Sequence, residues 1–201
     1  PCMCMGSSTN HVVRFDGLPL RLDGEGSCSY TLFTISKSIT QSSEVKLHTG
    51  PCQDSEKYNQ ICMKAMEVTH GEYKLMLKDD MTAMIDREVL ALPLQFAGME
   101  LVRYGGVMLQ LKSDLGYVLT FTPQSNEFTI TLLSSAASGH TFGLCGACGE
   151  EKVNVMSLRN GSTTTNQPAF ISDWTTAAGG GACLPKAEAV CLPGVAMGCQ
   201  T

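Results

Sequence analysis

Through the first 133 residues, apolar and polar positions alternate in short runs, and turn residues interrupt the runs at close spacing. In Tyr117–Thr122 and Phe128–Leu132 large apolar side chains largely alternate with hydroxyl-bearing ones. A period of two belongs to a strand with one face buried. The same reading predicts strands over His11–Asp16, Cys28–Ile35, Glu44–His48, Met63–His70, Tyr73–Lys78 and Met81–Ile85. It continues with Glu88–Leu92, Met99–Tyr104, Val107–Lys112, Gly116–Thr122 and Glu127–Leu133. Gly71-Glu72, Gly105-Gly106 and Pro123–Asn126 supply turns between them. Many short strands at even spacing predict an all-β sandwich or barrel.

The pattern changes after residue 133. Residues 149–168 read as a long loop rich in Ser, Thr and Asn. One short helix is expected around Ala169–Trp174, and Gly179-Gly180-Gly181 reads as a flexible break. Residues 184–201 hold two further cysteines and little alternation, as in the start of a second, truncated cysteine-rich module. Pro1 is not a natural first residue, so a segment cut from a longer chain is expected, and the missing leader says nothing of location. Met63, Met66, Met76, Met81 and Met84 fall on strand positions and are expected in the core or on half-buried sheet surface.

Composition narrows the function. Ten cysteines in 201 residues are many for a reducing compartment and ordinary for a secreted domain. Net charge is −5 and the 14 Lys and Arg are scattered, with no basic patch interleaved with aromatics, which argues against nucleic acid as a partner. No apolar run reaches the length of a membrane helix. His11, His48, His70 and His140 form no motif, and the metalloprotease, nucleophile-elbow and phosphate-loop signatures do not occur. Asn160-Gly161-Ser162 is an N-glycosylation triplet in a polar stretch, which makes Asn160 the expected glycan site.

Two close cysteine pairs carry the candidate chemistry: Cys2 with Cys4, and Cys145 with Cys148 about 140 residues later. They either clamp distant parts of one fold or perform thiol chemistry. Cys145-Gly146-Ala147-Cys148 has the spacing of a redox motif, but only Gly149, Glu150, Glu151 and Lys152 follow, without a helix signal. The four could also surround zinc, a reading that an oxidising compartment disfavours. Cys52 and Cys62 can close a surface loop between two strands.

The opening Cys4–Gly17, with Phe15-Asp16-Gly17 at its end, resembles the first strand of the von Willebrand factor type D family. Gly26–Phe33 resembles its second, and Gly143-Leu144-Cys145-Gly146 its late Gly-Leu-Cys-Gly, with Trp174 and Cys183 where that module closes. The resemblance covers residues 2–183. Within the family, Cys2–Cys4, Thr120–Phe128 and Cys145–Cys148 are most like the fourth D assembly of von Willebrand factor, and the residues after Cys183 resemble the start of an eight-cysteine module. Gel-forming mucins and otogelin-like proteins share this frame.

The resemblance implies two packed antiparallel sheets and a non-catalytic structural module of a secreted, disulfide-linked multimeric glycoprotein of cell adhesion, haemostasis or extracellular matrix. Its partners would be neighbouring modules of the same chain. The resemblance also implies that Cys4 pairs with Cys145 and Cys28 with Cys183, which leaves Cys2 and Cys148 for each other, with Cys191 and Cys199 unassigned. The family's propeptide redox motif has a cysteine where this chain has Phe142, so that activity does not carry over. Family members hold calcium through an aspartate matching Asp16 and an oxygen-rich loop. Here Ala147, Gly149 and Val155 stand at ligand positions, and Asp16 and Asn154 remain, with Glu150 and Glu151 nearby. The implied site is degraded, so no cofactor is required and calcium binding is weak. Without a metal, Asp16 is a turn residue of Asp-Gly.

Overall fold

The computed structural model describes residues 2–7, 10–53, 60–133, 141–149 and 155–185. Two antiparallel sheets enclose a single apolar core, and each sheet is largely one meander of the chain. The first contains β5 (Cys28–Ser36), β6 (Ser42–Pro51), β7 (Ile61–His70), β8 (Tyr73–Lys78), β9 (Ala83–Ile85) and β10 (Glu88–Val89). The second contains β11 (Leu94–Phe96), β12 (Met99–Tyr104), β13 (Met108–Ser113), β14 (Tyr117–Thr122) and β15 (Glu127–Leu132). Strands β1 (Cys2–Gly6), β2 (His11–Val13) and β3 (Pro19–Arg21) extend the second sheet beyond β15. Residues from the N-terminus thus pair with residues about 130 positions later, with Cys4 opposite Ile130.

The remaining elements decorate this sandwich. A two-residue strand β16 (Thr141–Phe142) and β19 (Thr175–Ala177) both pair with β5. Strands β17 (Met156–Ser157) and β18 (Thr163–Thr164) pair with each other, and β20 (Cys183–Pro185) pairs with β4 (Gly24–Gly26). The helix α1 (Gln167–Asp173) starts at Asn166, whose side chain accepts the Ala169 N–H at 3.0 Å. Asn166 as cap and Pro168 in the first turn are ordinary start signals, and they place the helix two residues earlier than expected.

Alternation explains most strands. Along β6 and β14 every second side chain from Ser43 to Leu47 and from Tyr117 to Phe121 is buried. Strand β5 departs from this, since Cys28 through Phe33 are all buried. Residues of the C-terminal third cover its outer face: Arg159 Nη2 donates to Thr31 Oγ1 at 3.1 Å, and the Thr31 N–H donates to the Trp174 carbonyl at 2.9 Å. Between the sheets, Phe15, Phe33 and Tyr117 stack edge to face, with centroids 5.9 and 5.1 Å apart. The Tyr117 hydroxyl meets Ser43 Oγ at 2.6 Å, and burial pushes the phenol pKa up to about 12. Met63, Met66 and Met81 are in the core and Met76 and Met84 are half-buried.

Several expectations need correction. The strand expected over His11–Asp16 ends at Val13. Asp16 Oδ1 accepts the Leu18 N–H at 3.0 Å and Gly17 N–H bonds the Arg14 carbonyl at 2.9 Å, so Phe15-Asp16-Gly17 turns. Strands β9 and β10 are shorter than expected, with Met81, Asp86 and Arg87 at positive φ around them. Gly179 and Gly180 form a turn, closed by Gly181 N–H to the Ala178 carbonyl and by bonds from both flanks to Ser27. Part of the expected loop over 149–168 carries β17 and β18.

Candidate functional site

The distinctive site lies where β1, the Phe15-Asp16-Gly17 turn and the Gly143–Gly149 segment meet. The backbone of Leu144 and Cys145 runs beside β5, with N–H bonds of 3.0 and 2.8 Å to the carbonyls of Thr31 and Leu32. Two glycines allow this approach. Gly143 has φ +108, and a Cβ there would run into the Leu32 backbone. Gly146 has φ +69, and a Cβ there would overlap the Arg14 guanidinium. The Phe15 N–H donates to the Cys145 carbonyl at 3.0 Å, so the turn is tied to the same segment.

Among the described residues, four cysteine pairs lie at disulfide distance. Cα–Cα separations are 6.1 Å for Cys2 and Cys148, 5.7 Å for Cys4 and Cys145, 4.9 Å for Cys28 and Cys183, and 5.0 Å for Cys52 and Cys62. All fall within the range a disulfide spans. Cys4, Cys145 and Cys28 are fully buried. Cys145 and Cys148 each pair with a cysteine of β1 and not with each other, unlike the two cysteines of a redox Cys-X-X-Cys ring. The same division into two pairs distinguishes the site from a tetrahedral four-cysteine zinc centre. Cys191 and Cys199 lie outside the described residues.

Next to these pairs is a small cleft of about 180 Å³, lined among others by Arg14, Asp16, Gly146, Ala147, Gly149 and Val155. This is where the implied calcium would lie. Arg14 is 5% exposed, and its Nη2 is 3.3 Å from Asp16 Oδ2. Its guanidinium carbon is 5.2 Å from the centroid of the Phe170 ring. Burial pushes the Arg14 pKa down, and the Asp16 carboxylate opposes that shift. Ala147, Gly149 and Val155 bring no side-chain oxygen, and no group of three His, Cys, Asp or Glu suited to a metal occurs among the described residues. Calcium takes six to eight oxygens, and among the described lining residues Asp16 is the one carboxylate, already opposite Arg14. Asn154, Glu150 and Glu151 lie outside the described residues.

Residues outside the sequence-level candidates hold the site. Arg14 and Phe170 are 156 positions apart, and no local signal joins them. Arg159 likewise stacks on Trp174 at 4.6 Å and donates from Nε to the Asp173 carbonyl at 2.7 Å. This fastens the turn that bears Asn160 to the end of α1. Asn160 itself is exposed, and its Oδ1 accepts from Ser162 N–H at 2.9 Å. His48 Nε2 meets Glu67 at 2.6 Å and His70 Nε2 meets Asp114 at 3.4 Å. These two histidines face separate carboxylates. His140 lies outside the described residues.

The model of the von Willebrand factor type D domain family matches residues 4–162. Among curated proteins, the chain is similar to mouse (Mus musculus) otogelin-like protein, with 23% identity over 191 residues, or 87% of this chain and 8% of that protein. Zonadhesin of Oryctolagus cuniculus is 30% identical over 117 residues, 58% of this chain and 5% of that protein. SCO-spondin of Bos taurus is 25% identical over 196 residues, 96% of this chain and 4% of that protein. The chain spans less than a tenth of the length of each of these relatives.

Proposed function

Because the chain belongs to the von Willebrand factor type D domain family, we propose that it is a non-catalytic, disulfide-stapled module of a secreted, multimeric adhesive glycoprotein. Its work is architectural: it holds neighbouring modules of the same chain at a set spacing. The single observation that carries this reading is the meeting of Cys2 and Cys4 with Cys148 and Cys145 across rings of 146 and 141 residues. Such rings keep the two ends of a module together when the chain is pulled, and they form in the oxidising secretory route. All four pairs are oxidised in this reading, and Asn160 carries a glycan.

Within the family, the module is that of a von Willebrand factor acting in haemostasis. The support is the motif likeness of Cys2–Cys4, Thr120–Phe128 and Cys145–Cys148 to its fourth D assembly. A second reading, an otogelin-like matrix protein, is favoured by alignments over 87% of the chain. Reading the modules that flank this segment in the parent chain separates the two.

The test of the architectural reading is peptide mapping without reduction, on material secreted from mammalian cells, with thiol titration of the native protein. Peptides joining Cys4 to Cys145 and Cys2 to Cys148, with neither pair titrating, are expected. A peptide carrying a Cys145–Cys148 ring, together with disulfide reductase activity, would replace the clamp with a redox enzyme.

A further inference from the structure

The cleft beside the Cys4–Cys145 pair has room for an ion, so chemistry and not space decides what it holds. A divalent cation needs acceptor oxygens converging on it. The described walls offer one carboxylate, Asp16, and that carboxylate already faces a positive charge at 3.3 Å. The remaining guanidinium atoms add to the mismatch. Arg14 Nε and Nη1 are buried without a hydrogen-bond partner, so this wall carries N–H donors and no lone pairs that a metal could use. The rest of the guanidinium is enclosed by Phe170 and by the Gly146 backbone, which has no side chain to displace it.

We infer that the Arg14 guanidinium is a built-in cation that takes the place of a bound metal ion at this end of the module. It neutralises Asp16, fills the approach over Gly146 and braces the Phe15-Asp16-Gly17 turn against α1. A covalently attached cation is present at any calcium concentration. The closure of the turn around the clamp is therefore independent of extracellular calcium. The inference holds for either parent protein named above and does not depend on that choice.

Asp16→Asn isolates the charge. Asparagine keeps the Oδ1 that accepts the Leu18 N–H, so the turn itself remains satisfied. The 201-residue chain is melted in millimolar calcium and in chelator, as wild type and as Asp16→Asn. Wild type is expected to melt at the same temperature in both. Asp16→Asn is expected to melt lower by roughly 5–10 °C in both, because it leaves a buried guanidinium unpaired. Arg14→Gln is expected to show a similar drop in both conditions, and the double variant a drop smaller than the sum of the two, as partners in one pair do. Wild type that loses several degrees in chelator and regains them with calcium would overturn the inference. So would an Asp16→Asn effect seen only in calcium, or calorimetric binding of calcium to wild type at sub-millimolar concentration. If Arg14→Gln does not fold, the Asp16→Asn comparison decides by itself.

Discussion

The end of the molecule around Cys4 and Cys145 and the hairpin end around Cys52 and Cys62 use the same bond for different purposes. Cys4 lies on β1 of one sheet, and Cys145 is hydrogen-bonded to β5 of the other, so their pair crosses the sandwich. Cys62 lies on β7 and Cys52 just beyond β6, so their pair staples two neighbouring strands of one sheet. The first ring spans 141 residues and its sulfurs are buried, whereas the second spans 10 and its cysteines are half-exposed. In the chain-entropy account the long ring restrains the unfolded chain by about 5 kcal/mol and the short one by about 2.7 kcal/mol. Cys2–Cys148 lies outside Cys4–Cys145 by only a few residues at each end. Once the inner ring is closed, the outer one removes little further freedom. Position within the fold, not the number of bonds, therefore decides which cysteines matter most.

The largest effect follows directly. Replacing Cys2, Cys4, Cys145 and Cys148 together by alanine should cost about 4–5 kcal/mol in denaturant unfolding, against about 2–3 kcal/mol for Cys52 with Cys62. Equal losses would break the comparison. Replacing either nested pair alone should cost clearly less, because the other pair still closes the long ring.

A non-covalent tie between the same two sheets sharpens the contrast. Ser43 Oγ donates to the Thr69 carbonyl at 3.0 Å, so the Tyr117 hydroxyl is the donor to Ser43. Tyr117→Phe removes that bond but keeps the ring against Phe33. The expected cost is about 1 kcal/mol. A loss as large as that of both nested clamps together would show that this hydroxyl, and not the sulfur bridges, holds the sheets in register.

On the hairpin side, burial, then Lys46 and then Lys74, hold the His48 pKa below its ordinary value. Lys74 Nζ is 2.5 Å from the Glu67 carboxylate, which limits what Glu67 returns to the histidine. The unfolded chain recovers a histidine pKa of about 6.5, so below that pH it binds a proton that the folded chain resists. Stability from this group is present above that value and falls as pH drops through it toward the folded pKa. Wild type should therefore melt lower at pH 5.5 than at pH 7.5, by an amount that shrinks in His48→Gln. A His48-dependent gain of stability on acidification would mean that Glu67 prevails.

The smallest effect is expected at Asn160. Asn160→Gln should remove the glycan mass from material made in secretory cells and leave the melting temperature nearly unchanged, since the side chain is exposed and bonds only within its own turn. Unmodified Asn160 in such material would remove the glycan from the proposed function.

Local pattern in the sequence was sufficient for the existence and kind of most strands. Period-two alternation in β6, β8, β12, β14 and β15 reports a sheet with one face buried, and the turns at Gly71 and Pro123–Asn126 carry their own backbone chemistry. Strand β1 was hidden because Met3 and Met5 are apolar yet point outward, at 42% and 43% exposure, so its alternation is invisible in residue type. Strand β5 gave no sign of its two-sided burial, because Arg159 and Trp174, which cover it, lie about 130 and 140 residues away. Family likeness located the clamp and the Gly-Leu-Cys-Gly segment, and the Asp16-Gly17 dipeptide itself signalled the turn. Only tertiary packing put Arg14 between Asp16 and Phe170. Propensity and periodicity act over a few residues and are written locally. The placing of one charge against a distant ring depends on how two sheets and a late helix close on each other, and no local pattern encodes that.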